Sequence, residues 1–212
     1  MTNRSYNRKT GIRSPDLFVI ATEGVRTESA YFDGIKQKLR DSRLNMLILT
    51  RDESGRSNPT QVIEQLDEYK KENRIGPRDL LCLVIDRDSQ STSVAQLRKT
   101  YRLCTQKGYL LALSNPCFEL WLLLHLVDLS EYNQNQLKDL LENKRQKMKR
   151  EVQSVNRGFD YTNLQIDDFW PHIELAVARA EYLDDGKPWP EGKLGTTVHR
   201  LISKLEPIMR KL

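Results

Sequence analysis

Six consecutive apolar residues, Leu80-Leu81-Cys82-Leu83-Val84-Ile85, end abruptly in Asp86-Arg87-Asp88. A run of that length, with Gly76-Pro77 before it and Asp88-Ser89 closing it, reads as a strand buried on both faces. Doubly buried strands belong to parallel sheets covered by helices, so this segment narrows the chain to the α/β class. Side chains alternate along an extended chain, which puts Asp86 and Asp88 on one side, within reach of a single cation. Open α/β sheets hold their ligands in the crevice beyond the carboxyl ends of the strands, where this pair falls. The ordinary alternative is loop entry, because Asp and Ser are common turn residues after a strand.

Three further apolar runs support the same class. Leu17 to Ala21 is a compact strand ending at Thr22-Glu23-Gly24, and from Thr27 to Arg40 the positions Ala30, Tyr31, Ile35 and Leu39 fall at helical spacing. Glu23 therefore stands at a strand's carboxyl end, on the sheet edge shared with Asp86 and Asp88 if the strands are parallel. Glu23 and Glu28 also have a plainer role as solvated acids near a helix N-terminus, where negative charge is mildly stabilising, and for Glu28 that is the preferred reading. Leu44 to Leu49 is the next run. A loop from Arg51 follows, then Asn58 as cap and Pro59 as first residue of a helix reaching about Asn73. After the Leu80 strand, Ser91 or Thr92 caps a helix that Gly108 ends, and Tyr109 to Leu113 is the fourth run. Four runs alternating with helices predict a mainly parallel four-stranded sheet flanked on both sides, over residues 17–128.

The segment after the fourth run is Ser114-Asn115-Pro116-Cys117-Phe118-Glu119-Leu120-Trp121-Leu122-Leu123-Leu124-His125. Asn115 as cap and Pro116 in the first turn would start a helix directly from the strand end. That places Glu119 near the same sheet edge. A carboxylate buried on an otherwise apolar helix needs a partner or a cation, whereas an exposed one simply complements the helix dipole. His125 lies one turn beyond Trp121 and reads as a hydrogen-bonded core histidine rather than a ligand. Residues 129–212 form a helical subdomain packed on the sheet. Asn133 to Arg150 is a polar stretch carrying Lys144, Arg145, Lys147, Lys149 and Arg150, either a basic helix for an anionic partner or a solvated face. Amphipathic helices follow over Phe169 to Leu183 and Thr196 to Leu212, separated by a loop with Gly186, Pro188, Pro190 and Gly192.

Composition limits the function classes. A net charge of +5, from 34 basic and 29 acidic residues, mildly favours a phosphate-rich partner. The longest apolar run, Leu120 to Leu129, is interrupted by His125 and Asp128, so no membrane span is expected. Residues 1–16 form a basic arm without the hydrophobic core of a secretory signal. Cys82, Cys104 and Cys117 are odd in number and scattered, as in a reduced, cytoplasmic protein. No Walker loop, G-x-G-x-x-G, H-E-x-x-H or nucleophile elbow occurs.

A glutamate after the first strand, paired with a later D-x-D after an apolar strand, resembles the layout of the Toprim domain of topoisomerases, primases and several nucleases. More narrowly, the chain resembles the RloB-like family of prokaryotic defence proteins. The likeness is carried by Glu23-Gly24-Val25-Arg26-Thr27-Glu28-Ser29-Ala30-Tyr31-Phe32, Ile85-Asp86-Arg87-Asp88, the segment from Ser114 to His125, and Thr196-Thr197-Val198-His199. The Asn-Pro-x-Phe-Glu-x-Trp-Leu-Leu-Leu-His stretch is its most specific part. Leu194-Gly195 stands where the family pattern has Asn-Pro. The resemblance implies a Toprim-like fold and phosphotransfer chemistry dependent on Mg²⁺ or Mn²⁺. Asp86 and Asp88 would be the metal-binding pair, Glu23 a metal ligand or proton carrier, and Glu119 a third ligand or a group behind it. Water is then the simplest nucleophile, since no tyrosine can be assigned that role, which makes hydrolysis of a nucleic-acid phosphodiester, DNA or RNA (tRNA included), the favoured reaction. It further implies an effector held by an AAA- or ABC-type ATPase in an anti-phage system, with room for a homo-oligomer.

Two other functions fit the residues. One is a non-catalytic adaptor of the same shape, binding nucleic acid or the ATPase through the basic 144–150 segment and the arm, with salt-sensitive affinity. The other is a receiver- or phosphatase-like domain with Asp86 as phosphoacceptor, which needs a suitably placed lysine.

Overall fold

Each apolar run becomes a strand: β1 (Asp16–Thr22), β2 (Leu44–Leu49), β3 (Leu80–Asp86) and β4 (Leu110–Asn115). This computed structural model describes residues 16–24, 26–40, 44–50, 58–87 and 92–210. The N-terminal arm before Asp16, the 51–57 part of the loop after β2, and Asp88 lie outside the described residues. The four strands run parallel in the order β2-β1-β3-β4. A fifth strand, β5 (Gly195–Thr196), pairs antiparallel with the end of β4, so the sheet has five strands rather than the expected four. Two residues carry no periodic pattern, which is why β5 has no signature in the sequence.

Helices join the strands: α1 (Thr27–Lys38), α2 (Pro59–Glu72), α3 (Val94–Lys107) and α4 (Glu119–Leu126). Four more follow, α5 (Gln134–Glu142), α6 (Lys147–Val155), α7 (Ile173–Leu183) and α8 (Val198–Met209). Their ends follow local chemistry. Asn58 caps α2 with a reciprocal bond to Gln61, and Pro59 fills the first helical position. Ser93, not Ser91 or Thr92, caps α3, because Gln96 completes the same box from three residues on. Gly108 ends α3 at φ 72°, a left-handed conformation that suits a residue without Cβ.

Alternation along the buried strands feeds two cores. Val19, Leu81 and Leu83 face Val62 and Leu66 of α2 and Leu97 and Cys104 of α3. Ile20, Cys82 and Val84 face the opposite core with Tyr31 and Ile35 of α1 and the whole of α4. Residues Glu119 to His125 of α4 are all buried, so this helix is covered on every side. On the side away from the sheet and α1 the cover comes from beyond residue 129: Met148 and Val152 of α6, Ala176 of α7 and Leu201 of α8 share its core.

One expected boundary moves. Asn115 does not cap α4; it is the last residue of β4, and its amide donates to the carbonyls of Pro190 (3.0 Å) and Lys193 (2.7 Å). The ladder to β5 keeps the chain extended through Asn115, and α4 starts only at Glu119. Among the described residues no helix is long and apolar enough to cross a membrane.

Candidate active site

In the order β2-β1-β3-β4 the chain proceeds outward from β1 on one side and resumes at β3 on the other. The crevice between β1 and β3 is therefore the topological switch point of the sheet. Glu23 and Asp86 stand at its mouth. The Glu23 amide donates to the Val84 carbonyl at 2.9 Å, extending the β1–β3 ladder by one step, and the Asp86 amide points at Glu23 Oε2 at 3.4 Å. The Thr22 hydroxyl donates to the Gly24 carbonyl at 2.8 Å and tightens the turn into α1.

Two more carboxylates enter from helix N-termini. Glu119 is the first residue of α4 and is buried, which settles the choice between an inward and a solvated acid. Glu28 lies in the first turn of α1 and is also buried, contrary to the solvated role preferred from sequence. The reason is Gly24: a Cβ there would come within 2.0 Å of Glu28 Oε2, so the missing side chain is what lets the carboxylate fold back against the turn.

Asp86 is the electrostatic centre. Its residue is only half-buried, but Oδ1 is sealed from solvent and has no hydrogen-bond partner among the described residues. Loss of hydration raises its pKa well above the usual range. The charges of Glu28, Glu119 and Glu23 push it further, and the Phe118 amide offsets this only in part. Burial likewise pushes Glu28 up to about 7. There the charge of Glu119 adds to the rise, while its own amide, Lys149 and the Gly24 backbone act against it. A sealed, unpaired carboxylate oxygen among three other acids is costly in the absence of a cation.

A lysine reaches the cluster. Lys149 of α6 places Nζ 3.6 Å from Glu119 Oε1 and 5.3 Å from the centre of the Tyr161 ring. The Tyr161 hydroxyl donates to the Lys149 carbonyl at 2.9 Å, fixing the ring beneath it. Cys117 lies against the acids, and burial with the charges of Glu119 and Asp86 raises its thiol pKa, keeping it neutral and a poor ligand.

The structure brings Glu23, Asp86 and Glu119 to one edge of the sheet; Asp88 lies outside the described residues. The sequence reasoning missed Glu28 and Lys149. Gly24 was the only local trace of the first. The second had none, because Lys149 looks like its basic neighbours until α6 docks on α4. His125 and His199 are structural. His125 is buried between the Trp121 carbonyl (Nδ1, 2.8 Å) and the Tyr31 hydroxyl (Nε2, 3.1 Å), and burial lowers its pKa to about 3. His199 lies between the Thr196 carbonyl and Asp184.

A model of the RloB-like protein family matches residues 18–205 of the 212. The chain belongs to the RloB-like family. Comparison with curated proteins and with solved structures found no match. The RloB-like match spans β1 through α8, so the sheet and the helices that bury α4 both fall inside it. Among the described residues no three His, Cys, Asp or Glu side chains are gathered so that they could hold a metal ion by themselves, and Asp88 lies outside those residues. The donor set still fits a hard cation that keeps several waters: all the polar ligands are carboxylate oxygens, and Asp86 Oδ1 is left without a partner.

Proposed function

We propose that this RloB-like protein hydrolyses nucleic-acid phosphodiesters with Mg²⁺ or Mn²⁺ held by Glu23, Asp86 and Asp88. The observation that carries the reading is Asp86 Oδ1, buried without a partner at the β1–β3 switch point and surrounded by Glu23, Glu28 and Glu119. A bound divalent cation would supply neutralisation of phosphate charge and a more acidic water. The chain's own residues do the rest. Glu28, with a pKa near 7, is suited to hold or release a proton at neutral pH. Glu119 holds Lys149 at the edge of the site, where its ammonium can meet a phosphate oxygen. Family resemblance adds the setting, an anti-phage effector controlled by an AAA- or ABC-type ATPase.

Two alternatives fare less well. The adaptor reading rests on the basic 144–150 segment and on the N-terminal arm, which lies outside the described residues; in the segment Lys144 pairs with Glu142, Lys147 with Glu151 and Lys149 with Glu119, which neutralises much of that patch. A phosphoacceptor role for Asp86 needs a lysine free beside it, and Lys149, the lysine that reaches the cluster, is held by Glu119.

The test is cleavage of single- and double-stranded DNA and of RNA, tRNA included, across a Mg²⁺ and Mn²⁺ titration, with the partner ATPase present. Asp86→Asn should abolish metal-dependent turnover, a loss of about a thousandfold or more, while circular dichroism stays unchanged. Full turnover by a folded Asp86→Asn protein would remove the proposal.

A further inference from the structure

On α7, away from the acidic cluster, Leu175 is 50% and Tyr182 86% exposed. Seven residues separate them, two helical turns, so both project from one face, with Ala178 between them. Across from that face stand Leu137 and Leu141 of α5, one turn apart. Leu124, Leu129, Leu183 and Leu194 close the floor of a groove of about 1030 Å³ between the two helices. Leu124, Leu129 and Leu194 are themselves buried, so the open apolar surface is the exposed Leu175–Tyr182 wall with the half-buried Leu137, Leu141 and Leu183 beside it, one contiguous patch.

The rim identifies what would fill it. Lys138, Arg179 and Lys193 line the groove against a single acid, Asp128. Lys193 shares its charge with Asp185 at 3.2 Å. Arg179 donates to the neutral carbonyls of Leu124 and His125, and its charge acts on Asp128, whose pKa it helps to lower. With Asp128 and Asp185 set against Lys138, Arg179 and Lys193, the rim keeps a small cationic excess, carried by Lys138, around an apolar floor. The Leu175–Tyr182 wall is about 10 Å long at 1.5 Å per residue, enough for two turns of a helix laid alongside. A second copy docked face to face would bring two cationic rims together, which disfavours self-association here.

We propose that the α5–α7 groove docks an acidic amphipathic helix of a partner protein, leucine-type side chains inward and carboxylates against Lys138 and Arg179. This surface is independent of the nuclease reading. It does share α4 with the candidate site: Glu119 begins that helix and Leu124 forms part of the groove floor.

Fluorescence anisotropy with the full chain tests it, using three labelled helical peptides of about four turns. One carries leucines at i, i+3, i+4 and i+7 with glutamates on both flanks, one has lysines in place of those glutamates, and one keeps the glutamates but replaces the leucines by serine. The first should bind at least about tenfold more tightly than either control. Leu175→Asp with Tyr182→Asp, both at exposed positions that the fold does not need, should weaken it by at least about tenfold, and Lys138→Glu should narrow the preference for glutamate over lysine flanks. Equal binding of all three peptides, or none, overturns the proposal. So does sedimentation equilibrium in which the chain alone dimerises and Leu175→Asp with Tyr182→Asp makes it monomeric, since the groove would then serve a second copy.

Discussion

Glu28 illustrates how one atom's absence shapes a site. Its carboxylate occupies the space a Cβ on Gly24 would need, and burial there raises its pKa from 4.5 to about 7. The linkage has a definite sign: the folded state holds the proton more tightly than the unfolded chain. The resulting stabilisation is complete below pH 4.5 and is lost as pH rises through about 7, up to roughly 3 kcal/mol in all. Glu28→Gln should therefore flatten the pH dependence and make the metal-free protein more stable at pH 8 than the parent, as urea unfolding at pH 5 and pH 8 would report. An unchanged slope between those pH values would refute the assignment. Gly24→Ala is the complementary probe. It should displace the Glu28 carboxylate and reduce metal-dependent turnover at least about tenfold with the fold retained, because the atoms it crowds are the end of a flexible side chain. Turnover and circular dichroism measured on one preparation would decide it. At this scale the sequence was informative wherever an acid followed an apolar run, as with Glu23 and Asp86. It was silent on Glu28, whose inward turn depends on a neighbour's missing side chain and not on hydrophobic period.

Among the elements, β4 and α4 do most to place the site, and both were legible in type but not in boundary. Periodicity found the strand and the apolar helix. It could not foresee that Asn115 would continue the ladder to a two-residue strand from the far end of the chain. The Asn115 amide ties β4 to the carbonyls of Pro190 and Lys193, and Asn115 is almost wholly buried. Asn115→Ala leaves both carbonyls short of a donor and should cost about 1–3 kcal/mol, measured as a lower urea midpoint at constant m-value. A stability within 0.3 kcal/mol or so of the parent would mean that water replaces both bonds at no cost. The same element carries Glu119 into the site a few residues later, so local loosening there should also weaken the Glu119–Lys149 pair.

At the scale of the molecule, the question is whether residues 129–212 are an appendage or part of one folding unit. The apolar core argues for one unit. A helix buried on all sides cannot leave part of its surface to water without losing roughly 1.5–3 kcal/mol for each large side chain exposed. Tyr31 of α1 covers one side of α4, and Met148, Val152, Ala176 and Leu201 from the later half share the rest of its core. The sheet itself takes its antiparallel edge from Gly195 and Thr196, and Lys149 reaches the acids that the earlier half supplies. A fragment of residues 16–128 is therefore expected to be insoluble or unfolded. The full chain should unfold in one transition, with coincident curves from far-ultraviolet circular dichroism and from the fluorescence of Trp121 and Trp189, which sit in the two separate cores. A soluble 16–128 fragment with a cooperative transition of its own would contradict this. Lys149 would then be a visitor to a site that the first half completes alone, and Lys149→Met would leave metal-dependent cleavage by that fragment's counterpart in the full chain unchanged.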